Sequence, residues 1–135
     1  MKISAQLHHS AQYQQATLTT NDIAKNLALP AKPDGTGFSA NGGELLFLAL
    51  ATCFCNDLYR EAKKTNLVIE SVEVLVSGEF GSEGEAARGI SYQVKVHAPQ
   101  LTATQIAALV AQTDRLAEVH NTLREGIEVK LMAGG

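Results

Sequence analysis

With 135 residues, the chain is long enough to bury its own hydrophobic core, and we expect one domain over residues 1–135. Its content of 45% hydrophobic and 19% charged residues is typical of a folded protein and argues against disorder. The formal net charge is −3 and no stretch gathers lysine and arginine, so nucleic acid is not expected as a partner.

The expected compartment follows from the first residues and from the cysteines. The opening sequence MKISAQLHHS lacks the apolar stretch of a secretory signal, and the longest apolar run, Leu45 to Cys55, is too short to span a bilayer. We therefore expect a cytoplasmic protein without a membrane partner. In that reducing compartment the two cysteines, Cys53 and Cys55, are predicted to be free thiols.

Three strands are predicted near the start of the chain. Ile3, Ala5 and Leu7 alternate with polar residues, a pattern that indicates a half-buried strand. A second strand covers about Gln14 to Thr19, and a third lies within residues 20–30, where a proline ends it.

The longest predicted element is a helix from Gly43 to about Asn66, which follows a loop rich in proline and glycine. Asn41 and Glu44 have the spacing of a capping box at its start. The first half of the helix, LLFLALATCF, is apolar on every side and must therefore be covered on every side. We expect a homodimer in which a second copy supplies part of this cover, with the helix at or near the interface.

The second half of the chain is predicted to form a hairpin, a helix and a last strand. The amphipathic helix covers residues 101–120 and begins with a capping box of Thr102 and Gln105, and Ile127 to Leu131 alternates as the last strand. The buried positions of the hairpin are predicted to be Val72, Val74, Val76, Ile90, Tyr92, Val94 and Val96. This order of elements predicts an α+β fold.

Cys53 and Cys55 lie at the end of the apolar run of the long helix. Free cysteine is among the most buried residues, which favours core packing for both Cys53 and Cys55 over a reactive thiol. Residues two apart on a helix point in different directions, so the pair is not expected to form a disulfide. The chain's histidines have no recognised metal-ligand spacing to these cysteines, so we expect no metal site and no cofactor.

The segment NGGELLFLALATCFCNDLYREAKKTNL resembles the central helix of the OsmC/Ohr family of osmotically inducible and organic hydroperoxide resistance proteins. The order of elements is similar over nearly the whole chain, and HNTLREGIEVKL is similar to the family's last turn and strand. The resemblance implies an intertwined homodimer of antiparallel-rich sheets around a buried helix, with active sites at the subunit interface. It also implies that Cys53 is the peroxidatic thiol.

This sequence departs from the family's peroxidases at three points. The family's active-site glutamate aligns with Gly43, one residue before Glu44. The family's arginine from an early strand has no counterpart, because no arginine precedes Arg60. The segment that holds the family's resolving cysteine is here Ala117 to His120. The resemblance therefore implies that an external thiol must reduce an oxidised Cys53, and that peroxidase activity is weak or altered.

Two arginines are candidates for the missing cation. Arg60 lies seven residues after Cys53 on the same helix, and Arg124 lies in the C-terminal segment. Together with Cys53 and Glu44 they complete the predicted catalytic set. The predicted substrate pocket is lined by Leu46, Leu50 and Phe54, which favours apolar or aryl hydroperoxides over hydrogen peroxide.

A second function stays open beside thiol-dependent reduction of hydroperoxides. The chain is then a non-catalytic protein with the same fold, which binds a small apolar or thiol-containing ligand in a pocket at the dimer interface. Rapid alkylation of Cys53 near neutral pH is expected only for the peroxidase.

Overall fold

The structure is a computed structural model that describes residues 1–133. Contacts along the chain divide it into two compact units, Met1–Leu45 and the residues from Leu46 onward. The elements of both units are antiparallel strands and helices, which confirms the predicted α+β class. A single domain over the whole chain stays a prediction.

The first unit contains a three-stranded antiparallel sheet in the order β1–β2–β3. The strands are β1 (Ile3–His9), β2 (Gln14–Thr20) and β3 (Ile23–Leu27), close to their predicted positions. Asn21 and Asp22 join β2 to β3 with positive φ angles of 46° and 68°, as a tight hairpin turn with the favoured twist requires. After β3, the backbone N–H of Gly37 donates a hydrogen bond to His9 Nε2 at 3.2 Å, which ties the loop to the end of β1.

Helix α1 spans Gly42–Lys64, so its predicted existence and approximate length are confirmed. The capping box forms as expected. The N–H of Glu44 donates to Asn41 Oδ1 at 2.8 Å, and the N–H of Asn41 donates to Glu44 Oε1 at 2.9 Å. The paired Lys63 and Lys64 lie in the last turn, where positive charge complements the helix dipole.

The second unit packs α1 against a two-stranded hairpin of β4 (Ser71–Glu79) and β5 (Arg88–His97). Alternate residues of both strands face the core, as the sequence predicts, although Ile90 remains 39% exposed. Gly78 allows a close approach, because a Cβ atom there would lie 2.9 Å from Phe47 Cζ. The core cluster consists of Phe54, Leu58, Ala62 and Leu109.

The predicted helix over residues 101–120 is divided into two. Helix α2 spans Ala103–Leu116 and has the expected capping box of Thr102 and Gln105. Ala117 then adopts an extended conformation, with φ −69° and ψ 105°, and α3 (Glu118–Glu125) starts directly after it. The prediction of a single helix was therefore wrong. The apolar periodicity does not reveal the break, because the buried Ala117 keeps the apolar face intact.

The prediction of a last strand from Ile127 to Leu131 is also wrong. These residues have no regular secondary structure, and Val129 and Leu131 are 95% and 101% exposed. Alternation gives a segment the capacity to form a strand, but a strand also needs a hydrogen-bonded neighbour. Within residues 1–133 none of the helices is both long enough and apolar enough to cross a membrane.

Candidate functional site

Cys53 lies in the middle of α1 and faces the first turn of α3. Its Sγ lies 3.6 Å from Asp57 Oδ2 and 3.9 Å from Glu118 Oε2. Asp57 is four residues further along α1 and so shares the face of Cys53, whereas Glu118 is the first residue of α3. The side chain of Cys53 is half-buried, and its thiol donates to the Asp57 carboxylate.

Arg60 contacts both carboxylates through the oxygens that do not contact the thiol. Its Nη1 lies 3.0 Å from Asp57 Oδ1 and 3.5 Å from Glu118 Oε1, while its Nε bonds to Glu61 at 3.0 Å. Asp57 is only 6% exposed. The guanidinium therefore offsets part of the negative charge that the fold buries beside Cys53.

The surroundings of Cys53 oppose its ionisation. Burial raises the pKa of its thiol, and the negative charges of Asp57 and Glu118 raise it further. The backbone N–H of Val119, in the first turn of α3, acts in the opposite direction and lowers this pKa. The balance is a raised pKa, so the thiol is protonated at neutral pH and needs a proton acceptor before it can attack.

The pKa values of the two carboxylates move in opposite directions. Burial raises the pKa of Asp57, and its hydrogen bond and repulsion with Glu118 raise it further. The pKa of Glu118 is lowered, first by its own backbone N–H and then by Asp57. Asp57 is therefore the one of the two that takes up a proton more readily.

Cys55 has a different environment. It is half-buried and free, as is Cys53, which agrees with the prediction of two free thiols. The structure therefore contains one thiol beside carboxylates and a second thiol, two residues later, outside that cluster.

The other predicted catalytic residues are not gathered around Cys53 in one constellation. Glu44 is engaged in the capping box at the start of α1. Arg124 lies on α3 and bonds to Asp114, with Nη2 2.7 Å from Oδ1. Of the two candidate cations, Arg60 contacts Asp57 and Glu118, the carboxylates that lie beside Cys53. The catalytic roles of all three residues stay predictions.

The predicted pocket residues belong mainly to the interior. Phe54 and Leu50 are 0% and 3% exposed, and Leu46 is half-buried. An open groove of about 590 Å³ lies in the first unit, and its lining includes none of these three residues. The groove is lined by Tyr13, Gln14, Gln15, Ala16, Asn26, Leu27, Ala28, Leu29, Pro30 and Ala31. Ligand binding at Leu46, Leu50 and Phe54 stays a prediction.

Glu118 was not among the predicted site residues. The resemblance does give an indication, because Ala117 to His120 stand where the family carries a resolving cysteine, a residue that must reach the peroxidatic thiol. A carboxylate in that segment is therefore expected near Cys53 once Cys53 is accepted as the family's thiol.

The cluster also has the composition of a cation site. The sulfur of Cys53 and one carboxylate oxygen each from Asp57 and Glu118 lie within 4.8 Å of one another. Arg60 already bonds to both carboxylates, so a metal ion would have to displace its guanidinium. The prediction of no metal site stays a prediction.

Comparison with known proteins identifies the family. The sequence matches the family model for OsmC, described as OsmC-like protein, over residues 34–132. None of the curated proteins compared matches it.

Solved structures of similar fold include the OsmC-like protein of Mycoplasma pneumoniae, with 20% identity, a TM-score of 0.66, and 92% of this chain and 88% of that chain covered. The organic hydroperoxide resistance protein OsmC of Legionella pneumophila has 21% identity and a TM-score of 0.59, with 97% and 95% covered. The organic hydroperoxide resistance protein OhrB of Bacillus subtilis has 19% identity and a TM-score of 0.56, with 97% and 96% covered. These likenesses show the fold.

Proposed function

Because the chain belongs to the family of OsmC-like proteins, we propose that it reduces organic hydroperoxides, with Cys53 as the attacking thiol and an external thiol as the reductant. The observation that carries the proposal is the position of Cys53 Sγ, 3.6 Å from a carboxylate that can accept its proton and close to the first turn of α3. Structures named as organic hydroperoxide resistance proteins share the fold.

The reaction consumes one hydroperoxide and two external thiols. The sulfur of Cys53 attacks the outer peroxide oxygen, the O–O bond breaks, and the products are Cys53 sulfenic acid and an alcohol. An external thiol then condenses with the sulfenic acid to a mixed disulfide and releases water. A second external thiol restores Cys53 and leaves as a disulfide with the first.

An external reductant is required because Cys55 is unsuited to resolve the sulfenic acid. The two cysteines are two residues apart on a continuous helix, so their side chains diverge around the axis. A disulfide between them would require the helix to unwind locally.

The proposed reaction is slower at neutral pH than that of a thiol with a lowered pKa, because the raised pKa keeps Cys53 protonated and its proton has to be removed during the attack. The preferred substrates are apolar or aryl hydroperoxides, as the apolar first half of α1 suggests. We place the protein in the cytoplasm, where its thiols stay reduced and external thiols are available.

The active form is proposed to be a homodimer with α1 at or near the interface. The support is that large apolar side chains remain exposed on the single chain. Leu48, in the apolar half of α1, is 59% exposed, and Leu75 on β4 is 63% exposed. Burial of such residues against a second copy would contribute roughly 25 cal/mol per Å² of apolar surface.

A second candidate function has its own observation. Asp57 and Glu118 raise the pKa of Cys53, which is the opposite of what a fast peroxidase requires. The chain would then bind a small apolar or thiol-containing ligand and leave it unchanged.

The test is the intact mass of the reduced protein after brief exposure to cumene hydroperoxide in the presence of a sulfenic-acid trap. We expect one trapped adduct on the native chain and on Cys55→Ser, and none on Cys53→Ser. Cumene hydroperoxide should react faster than hydrogen peroxide. An unmodified but folded native chain would reject the peroxidase and leave ligand binding as the remaining candidate.

A further inference from the structure

The carboxylate that accepts a hydrogen bond from the Cys53 thiol is held in place at both of its oxygens. Asp57 Oδ1 receives the Arg60 guanidinium at 3.0 Å, and Oδ2 faces Cys53 Sγ at 3.6 Å. The residue is 6% exposed, so few water molecules compete for these positions. Oδ2 is therefore fixed beside the reacting sulfur.

Reduction of a hydroperoxide by a thiol moves one proton over a short path. The thiol has to lose its proton when the sulfur attacks, and the departing alkoxide oxygen has to gain one when the O–O bond breaks. A group that takes the first proton and gives the second lowers both barriers, because neither a free thiolate nor a free alkoxide has to form.

We propose that Asp57 is a catalytic proton relay for Cys53. Its Oδ2 accepts the thiol proton as the sulfur attacks the outer peroxide oxygen, and then donates the same proton to the released alkoxide. The sulfur supplies the electron pair that breaks the O–O bond, so the products are the sulfenic acid and a neutral alcohol. This inference rests on the proposed function and assigns a residue to it.

Asp57 suits this role better than Glu118 does. Glu118 lies farther from the sulfur, at 3.9 Å, and its side chain is 63% exposed. Burial and Glu118 also raise the pKa of Asp57, towards the range in which a carboxyl group can both accept and donate a proton. Arg60 is a positioning residue, since it contacts Asp57 and not the sulfur.

The test compares two reactions of Cys53, of which one requires a proton on the leaving group and the other does not. Iodide leaves iodoacetamide without a proton, whereas the alkoxide of cumene hydroperoxide requires one. Asp57→Asn removes a negative charge that raises the thiol pKa, so it should increase the alkylation rate. The same variant should reduce the hydroperoxide rate about 100-fold, because the relay is lost.

Glu118→Gln is the matched control. It removes a similar charge from beside the same thiol but leaves the Asp57 carboxylate at the sulfur, so the alkylation rate should again rise. Because Glu118 also contributes to the pKa of Asp57, the hydroperoxide rate is expected to change, but by far less than the loss of about 100-fold expected for Asp57→Asn. The pH dependence of both rates in the native chain is a second measurement, and it does not depend on whether a variant folds. The relay predicts a hydroperoxide rate that is nearly flat between the pKa values of Asp57 and Cys53, whereas alkylation should climb with pH over the same range.

The possible failures are distinct. If Asp57→Asn raises both rates in parallel, or if the native hydroperoxide rate climbs with pH as steeply as alkylation does, the relay is rejected while the peroxidase stands. If iodoacetamide modifies Cys53 but cumene hydroperoxide does not react with the native chain, the proposed function is rejected and the relay with it.

Discussion

His120 is a buried imidazole without a hydrogen bond. It is 4% exposed, and neither ring nitrogen has a partner among residues 1–133. The ring packs against Tyr92, with centroids 4.8 Å apart, and against Phe54 at 6.2 Å. Burial and the positive charge of Arg124 lower its pKa below the ordinary value, so the folded chain keeps it neutral.

This environment gives a prediction for stability against pH. As pH falls below about 6.5, the unfolded chain binds a proton at His120 before the folded chain does, so the free energy of unfolding falls. We expect His120→Leu to weaken this decline and to raise stability by roughly 1–3 kcal/mol, because an unsatisfied polar group is removed. Urea unfolding at about pH 7.5 and about pH 5.5 measures both effects. A variant as sensitive to pH as the native chain would contradict the prediction.

At the scale of the element, Glu44 at the start of α1 has two candidate roles, as a member of the capping box and as a catalytic acid. The capping box with Asn41 is formed, and the family's active-site glutamate aligns one residue earlier. Glutamine can replace glutamate in a capping box, because the contact needs only an acceptor oxygen. The two roles therefore respond differently to the loss of charge and to the loss of the side chain.

We expect Glu44→Ala to lower the free energy of unfolding by about 1 kcal/mol, because the backbone N–H of Asn41 loses its partner, Glu44 Oε1. Glu44→Gln should leave both the stability and the hydroperoxide rate close to the native values. Urea unfolding and consumption of cumene hydroperoxide are the measurements. If Glu44→Gln stays stable but loses activity, Glu44 is a catalytic acid after all.

The elements also show which features the sequence can predict. The two capping boxes and the five strands were predicted because they depend on neighbouring residues or on a short period. The division at Ala117 was missed because it changes two backbone angles without interrupting the apolar pattern. The prediction of the last strand was wrong because a strand needs a hydrogen-bonded neighbour, and the alternation of apolar and polar residues does not show whether one is present.

The candidate site is harder to predict than the fold. The motif points to Cys53, and helical spacing places Asp57 beside it. Glu118 comes from 65 residues away in sequence, and only the packing of α3 against α1 brings it to the thiol. The pKa of Cys53 depends on that contact, so the electrostatic environment of the thiol required the structure.

At the scale of the whole molecule, the exposed apolar residues carry the proposal of a homodimer. Ile3 and Leu7 on β1 were expected to be half-buried, and they are 67% and 57% exposed. Leu48 on α1 and the alternating residues Val129 and Leu131 are also exposed. Burial of these side chains against a second copy would remove apolar surface from water, and a segment with strand periodicity that pairs with no strand within residues 1–133 can pair with a second chain.

The prediction is a dimer in light scattering, with twice the mass of the chain at micromolar concentration. Leu48→Glu should shift it to the monomer, because a buried carboxylate without a partner costs several kcal/mol. Ala107→Glu, which adds the same charge at an exposed position of α2, should leave the dimer intact. If the native chain is a monomer, or if Leu48→Glu dimerises as tightly as the control, α1 is not the interface. The exposed apolar surface of the single chain would then need another explanation.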